Sequence, residues 1–171
     1  IEDTVYEVKK AKELGIPIIK RSQLLAMIAK SKKTIAVAGT SGKSTTSAML
    51  FQILLDAGLE PSIISGAGLT SIIKQGKIGN AYVGKGDWLI IEADESDGSV
   101  VQYEPEIGLL LNIDKDHQEI DELIELFTIF KKNTNSLFIV NQSNTLSKTL
   151  SANIENDFGF ENEKAGFSAR N

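Results

Sequence analysis

The sequence predicts an α/β protein, a three-layer, mostly parallel sheet with helices on both faces, of the type that carries a phosphate loop. Three observations predict it. Short β-branched apolar runs alternate with longer segments of helical period. Those runs are apolar almost without interruption, as in strands covered on both sides. One run passes through a glycine-rich loop straight into a helical segment, IAVAGTSGKSTTSAML at residues 35–50.

The elements are expected in the following order. Residues 5–14 read as a helix stopped by Gly15, with Pro17 beyond it. Ser22 is expected to cap a second helix reaching about Lys30, and residues 31–33 form a polar break. Residues 34–38 are a buried strand, and residues 43–57 a helix ended by Gly58. Strands follow at 62–65, at 78–83 (weaker), at 88–91 and at 107–113. Residues 119–132 form an amphipathic helix with Leu123, Phe127 and Phe130 on one face. A strand at 137–140 and a short helix at 145–152 come next, and the tail from Asn153 reads as edge strands cut short at the C-terminus.

Composition narrows the function. The chain has 171 residues, 42% hydrophobic and 24% charged, with a formal net charge of −5. An acidic chain without a basic stripe argues against nucleic acid as its main partner. With no cysteine, disulfide frameworks, thiolate catalysis and Cys-ligated zinc are excluded. No apolar run reaches the roughly 20 residues that cross a bilayer, and no basic-then-apolar leader is visible, so the expectation is a cytoplasmic protein with no membrane partner. The first residue, Ile1 rather than Met, gives the expectation of a piece of a larger protein.

The loop Gly39-Thr40-Ser41-Gly42-Lys43-Ser44-Thr45 carries the chemistry. Glycines let the backbone wrap phosphate oxygens with successive N–H groups, and the following helix adds its positive end. Lys43 is suited to the β- and γ-phosphates of a nucleotide, and the Ser44 hydroxyl to Mg²⁺. Val37 stands where the usual signature has its first glycine. The alternative is a tight strand-to-helix turn with a solvated lysine.

Ligands of an open parallel sheet sit beyond the carboxyl ends of its strands. Two such ends carry suitable groups: residues 88–91 lead to Glu92 and EADESD, and residues 109–113 lead to DKDH with His117 last. Glu92 and His117 could hold a second divalent cation over the γ-phosphate, although imidazole is an unusual Mg²⁺ ligand. The alternatives are a structural histidine, turn and capping acids in EADESD, and a wet acidic loop opening a helix between residues 114 and 122.

These residues together resemble the Mur ligases, ATP-dependent enzymes that build the peptide stem of peptidoglycan. GTSGKSTT resembles the family's phosphate loop, which also lacks a glycine at the place of Val37. EADESDGS and NIDKDH look like motifs of the branch that joins L-alanine to UDP-N-acetylmuramate. ELGIPIIKRSQLLA resembles the passage from the N-terminal into the central domain. The resemblance implies that residues 1–31 are the tail of a UDP-sugar-binding domain with its linker, and that residues 32–171 are a central ATP-binding domain, incomplete at its C-terminus. It implies ATP and Mg²⁺ as cofactors. Residues Gly39, Thr40, Ser41, Gly42, Lys43, Ser44 and Thr45 would wrap the phosphates, Lys43 would contact the β- and γ-phosphates, and Ser44 would hold one Mg²⁺. Glu92 and His117 would hold a second, making Lys43, Glu92 and His117 the catalytic set.

The loop at residues 66–69 resembles a substrate-side loop. The implied reaction activates the muramoyl carboxylate as an acyl phosphate, which L-alanine then attacks, releasing ADP and phosphate. UDP-N-acetylmuramate and L-alanine would be met through a sugar-nucleotide domain present here only as its tail and a C-terminal domain with no counterpart here, so this stretch alone is expected to be inactive or nearly so. Departures are Ser41, where the family often has His or Asn, and Gln118-Glu119 after the Asp-His pair. Phe127 stands where some branches have a carbamylated lysine, which fits the L-alanine branch. Two alternatives stay open: a recycling ligase that attaches a ready-made peptide to the same sugar nucleotide, and a nucleotide-binding module without ligase chemistry.

Overall fold

The computed structural model describes residues 4–115, 118–162 and 164–170. In chain order the elements are α1 (Tyr6–Glu13), α2 (Arg21–Ala29), β1 (Lys33–Ala38), α3 (Lys43–Asp56), β2 (Ser62–Ile64), α4 (Thr70–Ile73), β3 (Ala81–Tyr82), β4 (Trp88–Ala93), β5 (Ile107–Leu110), α5 (Ile120–Asn133), β6 (Leu137–Val140), β7 (Phe158–Phe160) and β8 (Phe167–Ala169). Six strands form one sheet in the order β3-β2-β4-β1-β5-β6. Every pairing in it is parallel except that of β3 with β2.

Both faces of the sheet are covered, as the unbroken apolar strands require. Side chains alternate along β1. Ala36 and Ala38 join α2 and α5 on one face through Ala29, Leu123, Phe127 and Phe130. Ile35 and Val37 join α3 and α4 on the other through Phe51 and Ile72. Phe130 meets Phe138 edge-on with ring centroids 5.9 Å apart, and Phe51 meets Tyr82 in the same way at 5.6 Å. Gly108 lets β5 pass beneath α5, because a Cβ there would lie 2.5 Å from the Thr134 hydroxyl.

Several local expectations change. Ser22 does not cap α2: Lys20 is the N-cap, its N–H donates to Gln23 Oε1 at 2.7 Å, and Ser22 is buried in the first turn. The weaker strand shrinks to β3 and runs antiparallel to β2. β5 ends at Leu110 rather than 113, because Asn112 leaves the ladder to meet the loop after β1. The short helix expected at 145–152 is a 3₁₀ turn at Ser147–Leu150. Similar turns at Ser99–Gln102 and Ile154–Asn156, and the one-turn α4, carry no sequence period long enough to read. The tail strands β7 and β8 pair in parallel as a separate two-stranded sheet, linked to the end of β6 by a bridge between Asn141 and Phe158.

Candidate nucleotide-binding site

β1 lies between β4 and β5, and the chain leaves its carboxyl end into residues 39–42 before α3 begins. Strands entered on opposite sides of β1 make this the switch point of the sheet, where the ends diverge and leave a crevice. Gly39 and Gly42 take φ of +135° and +85°, backbone that side chains seldom tolerate. Gly39 also needs the space: a Cβ there would stand 3.1 Å from the backbone N and O of Asn112.

Asn112 holds the loop in shape. Its Oδ1 accepts from the Thr40 hydroxyl at 2.7 Å and from the Ser41 N–H at 2.9 Å, and its Nδ2 donates to the Ser41 carbonyl at 3.0 Å. The Thr40 N–H donates to the Asn112 carbonyl, and Asp114 N–H to the Thr40 hydroxyl at 3.1 Å. The loop is thereby laid across the end of β5.

Lys43 is the first residue of α3, and its ammonium folds back over the loop. It donates to the Gly39 carbonyl at 2.7 Å and to Glu95 at 2.8 Å (Oε2) and 3.1 Å (Oε1). The Ser44 hydroxyl donates to Glu92 Oε2 at 2.9 Å. Glu92 Oε1 accepts from the Ser65 hydroxyl and from the Gly66 N–H at 2.8 Å. Strand alternation explains the reach of Glu92, since Ile90 and Glu92 share the α3 face of β4.

The structure therefore brings Lys43, Ser44 and Glu92 to one loop. His117, the remaining member of the sequence-derived set, lies outside the described residues. Of the four acids in EADESD, Asp94 and Asp97 are turn formers: each accepts the N–H two residues on, from Ser96 and Ser99. Glu92 and Glu95 face the loop. Glu95 was not singled out by sequence reasoning, because nothing in its spacing from Lys43 tells that a turn after β4 aims it back at the ammonium. Asn112 lies in NIDKDH, where residue type alone does not mark it as the brace of the loop.

The fit to a nucleotide is good on the loop's own terms. Two glycines in left-handed geometry, a helix start and a partly shielded ammonium provide for phosphate oxygens. Ser44 and Glu92, in mutual contact, are hard oxygen donors of the kind Mg²⁺ takes. Among the described residues no group of three or more His, Cys, Asp or Glu side chains gathers as a metal cluster.

Beside Glu92 a cavity of 240 Å³ opens between α2 and the strand ends, lined in part by Arg21, Ser65, Gly66, Asp94 and Tyr103. Burial raises the Tyr103 phenol above its ordinary 10.0, more than the nearby Ser99 hydroxyl lowers it. A second groove of 490 Å³ runs beside Ser44 between α3 and residues 67–71.

Residues 37–171 match the family described as the Mur ligase middle domain. The chain belongs to this family. Its relatives include UDP-N-acetylmuramate--L-alanine ligase of Nostoc punctiforme, 44% identical over 135 residues, covering 77% of this chain and 27% of that protein. The enzyme of the same name from Syntrophomonas wolfei is 43% identical over 128 residues, covering 72% of this chain and 26% of its own. The chain thus spans about a quarter of the length of these relatives. Among solved structures, a UDP-N-acetylmuramate:L-alanyl-gamma-D-glutamyl-meso-diaminopimelate ligase from Neisseria meningitides superposes with a TM-score of 0.77 at 22% identity, over 95% of this chain and 56% of that one. A MurF ligase from Thermotoga maritima in complex with ADP gives 0.56 at 20% identity, over 84% and 37%. At such identities these two likenesses speak for the Mur ligase fold alone.

Proposed function

We propose that this chain is the ATP-binding part of a ligase that joins L-alanine to UDP-N-acetylmuramate, with ATP cleaved to ADP and phosphate. The observation that carries the reading is the convergence of the Lys43 ammonium, the Ser44 hydroxyl and the Glu92 carboxylate on one glycine loop at the sheet's switch point. In it, residues 1–31 end a sugar-nucleotide domain and residues 32–171 form the nucleotide-binding one. The protein works in the cytoplasm, where ATP and the sugar nucleotide are at hand.

Bound Mg²⁺ and ATP would supply the transferable phosphoryl group with part of its charge already offset. The chain's residues do the holding. The loop N–H groups and the start of α3 orient the phosphates, and Asn112 keeps those N–H groups in place. Lys43 neutralises charge that spreads over the phosphate oxygens. Ser44 provides an oxygen ligand for one cation and Glu92 for a second, with Glu92 steered by Ser65 and Gly66. His117 is the proposed partner of Glu92 for the second cation. No protein nucleophile is needed, since the muramoyl carboxylate itself attacks.

The test is phosphate release by the full-length protein with ATP, Mg²⁺, UDP-N-acetylmuramate and a panel of amino acids and peptides. Release that depends on L-alanine, and is lost in Lys43→Ala, Glu92→Ala and His117→Ala, is the expected result. A signal with a tripeptide and none with L-alanine would assign the chain to a recycling ligase. Nucleotide binding without release under any condition would make it a binding module.

A further inference from the structure

We propose that Glu95 is a built-in stand-in for phosphate: its carboxylate occupies the donors of Lys43 that a nucleotide must take over, and so sets nucleotide affinity. The inference rests on the reading of residues 39–45 as a phosphate loop and deepens it.

An ammonium has three N–H donors and no acceptor. Here one goes to the Gly39 carbonyl at 2.7 Å, which shapes the loop. Glu95 takes what remains, with both carboxylate oxygens within 3.1 Å. The pair is shielded, with side chains 15% and 7% exposed. Lys43 also sits at the first position of α3, where the helix dipole adds positive potential and the first turn holds no acid. A cation there calls for an anion. Glu95 is that anion in the structure, and a phosphate is the anion that the loop geometry would receive.

The carboxylate is aimed by its own backbone. The Glu95 carbonyl accepts from the Gly98 N–H at 2.9 Å and from Gln118 Nε2 at 3.1 Å, so the turn after β4 is tied to the approach to α5. Glu92, the other acid at the loop, is already engaged by Ser44, Ser65 and Gly66 and leaves Lys43 to Glu95. Among the described residues, a nucleotide entering this loop meets the carboxylates of Glu92 and Glu95 and the Lys43 ammonium, which is already bonded. Binding must loosen the Lys43–Glu95 pair, and that loss is subtracted from affinity.

Equilibrium binding of ATP to the full-length protein, in EDTA and separately in Mg²⁺, tests this with Glu95→Gln, Lys43→Ala and the double variant. Glu95→Gln keeps the shape and removes the charge. It is expected to bind ATP about tenfold more tightly than wild type in both buffers, and to gain clearly less in the Lys43→Ala background, since the competition runs through that ammonium. Glu95→Asp, one methylene short, is expected to move affinity in the same direction and serves if Glu95→Gln does not fold. Unchanged or weaker binding in both buffers overturns the proposal. Tighter binding in EDTA with weaker binding in Mg²⁺ also overturns it, by making Glu95 a cation ligand. Wild-type protein that binds no ATP at all removes the phosphate-loop reading, and this inference with it.

Discussion

Asn112 does for the loop what a neighbouring strand does for a ladder. One amide both accepts the Ser41 N–H and donates to the Ser41 carbonyl, and the same oxygen takes the Thr40 hydroxyl. Asn112→Ala removes three hydrogen bonds from a segment whose glycines are otherwise free to leave their left-handed geometry. The expected cost is about 2 kcal/mol in denaturant unfolding, with weaker nucleotide binding as well. A variant that loses stability but keeps wild-type affinity would show that the loop holds its shape without this amide. The same scale explains why half of EADESD is structural: Asp94 and Asp97 spend their carboxylates on the N–H groups of Ser96 and Ser99. Residue type alone does not separate those two from Glu92 and Glu95.

Among the elements, the small sheet of β7 and β8 is tied to β6 by the Asn141–Phe158 bridge and by one buried carboxylate. Asp157, fully buried, accepts from the Val140 N–H at 2.9 Å, from Gln142 Nε2 at 2.7 Å and from the Ser151 hydroxyl. It joins β6, the turn after it and the start of β7 in one knot. Asp157→Ala would leave the Val140 N–H without its partner and is expected to cost about 3 kcal/mol. Hydrogen exchange across residues 158–169 should rise before that of β1 or β4. Equal protection in mutant and wild type would mean that the apolar contacts hold this sheet unaided. The knot is not legible in the sequence, because the tail reads as edge strands with turn residues and nothing local marks Asp157 as the acid that is buried. By contrast α3 and α5 were legible within a residue or two, each being long enough for the helical period to repeat and ended by its own signals, such as Gly58 at φ +75°.

For the molecule as a whole, stability at alkaline pH carries the mark of Tyr103. Burial holds the phenol's pKa above 10.0 in the fold, so the folded state keeps a proton that the unfolded chain releases. Its contribution is therefore complete below about pH 10 and is lost as pH climbs through the raised folded value. Tyr103→Phe is expected to flatten the fall in stability above pH 10, and an unchanged slope in urea melts between pH 9 and 11 would contradict this.

At the same scale, the order of apolar runs in the sequence was enough to determine a parallel sheet with helices on both faces. The glycine loop determined where β1 would give way to α3. Both follow from short-range rules, in which two-residue and 3.6-residue periods and the φ freedom of glycine act within a few residues of chain. Register was decided by tertiary structure alone. So were the antiparallel turn of β3, the early end of β5, the separation of the tail into its own sheet, and the pairing of Lys43 with Glu95 across 52 positions of sequence. Such contacts depend on which strand ends the packed sheet brings side by side, and no local pattern of residues encodes that distance.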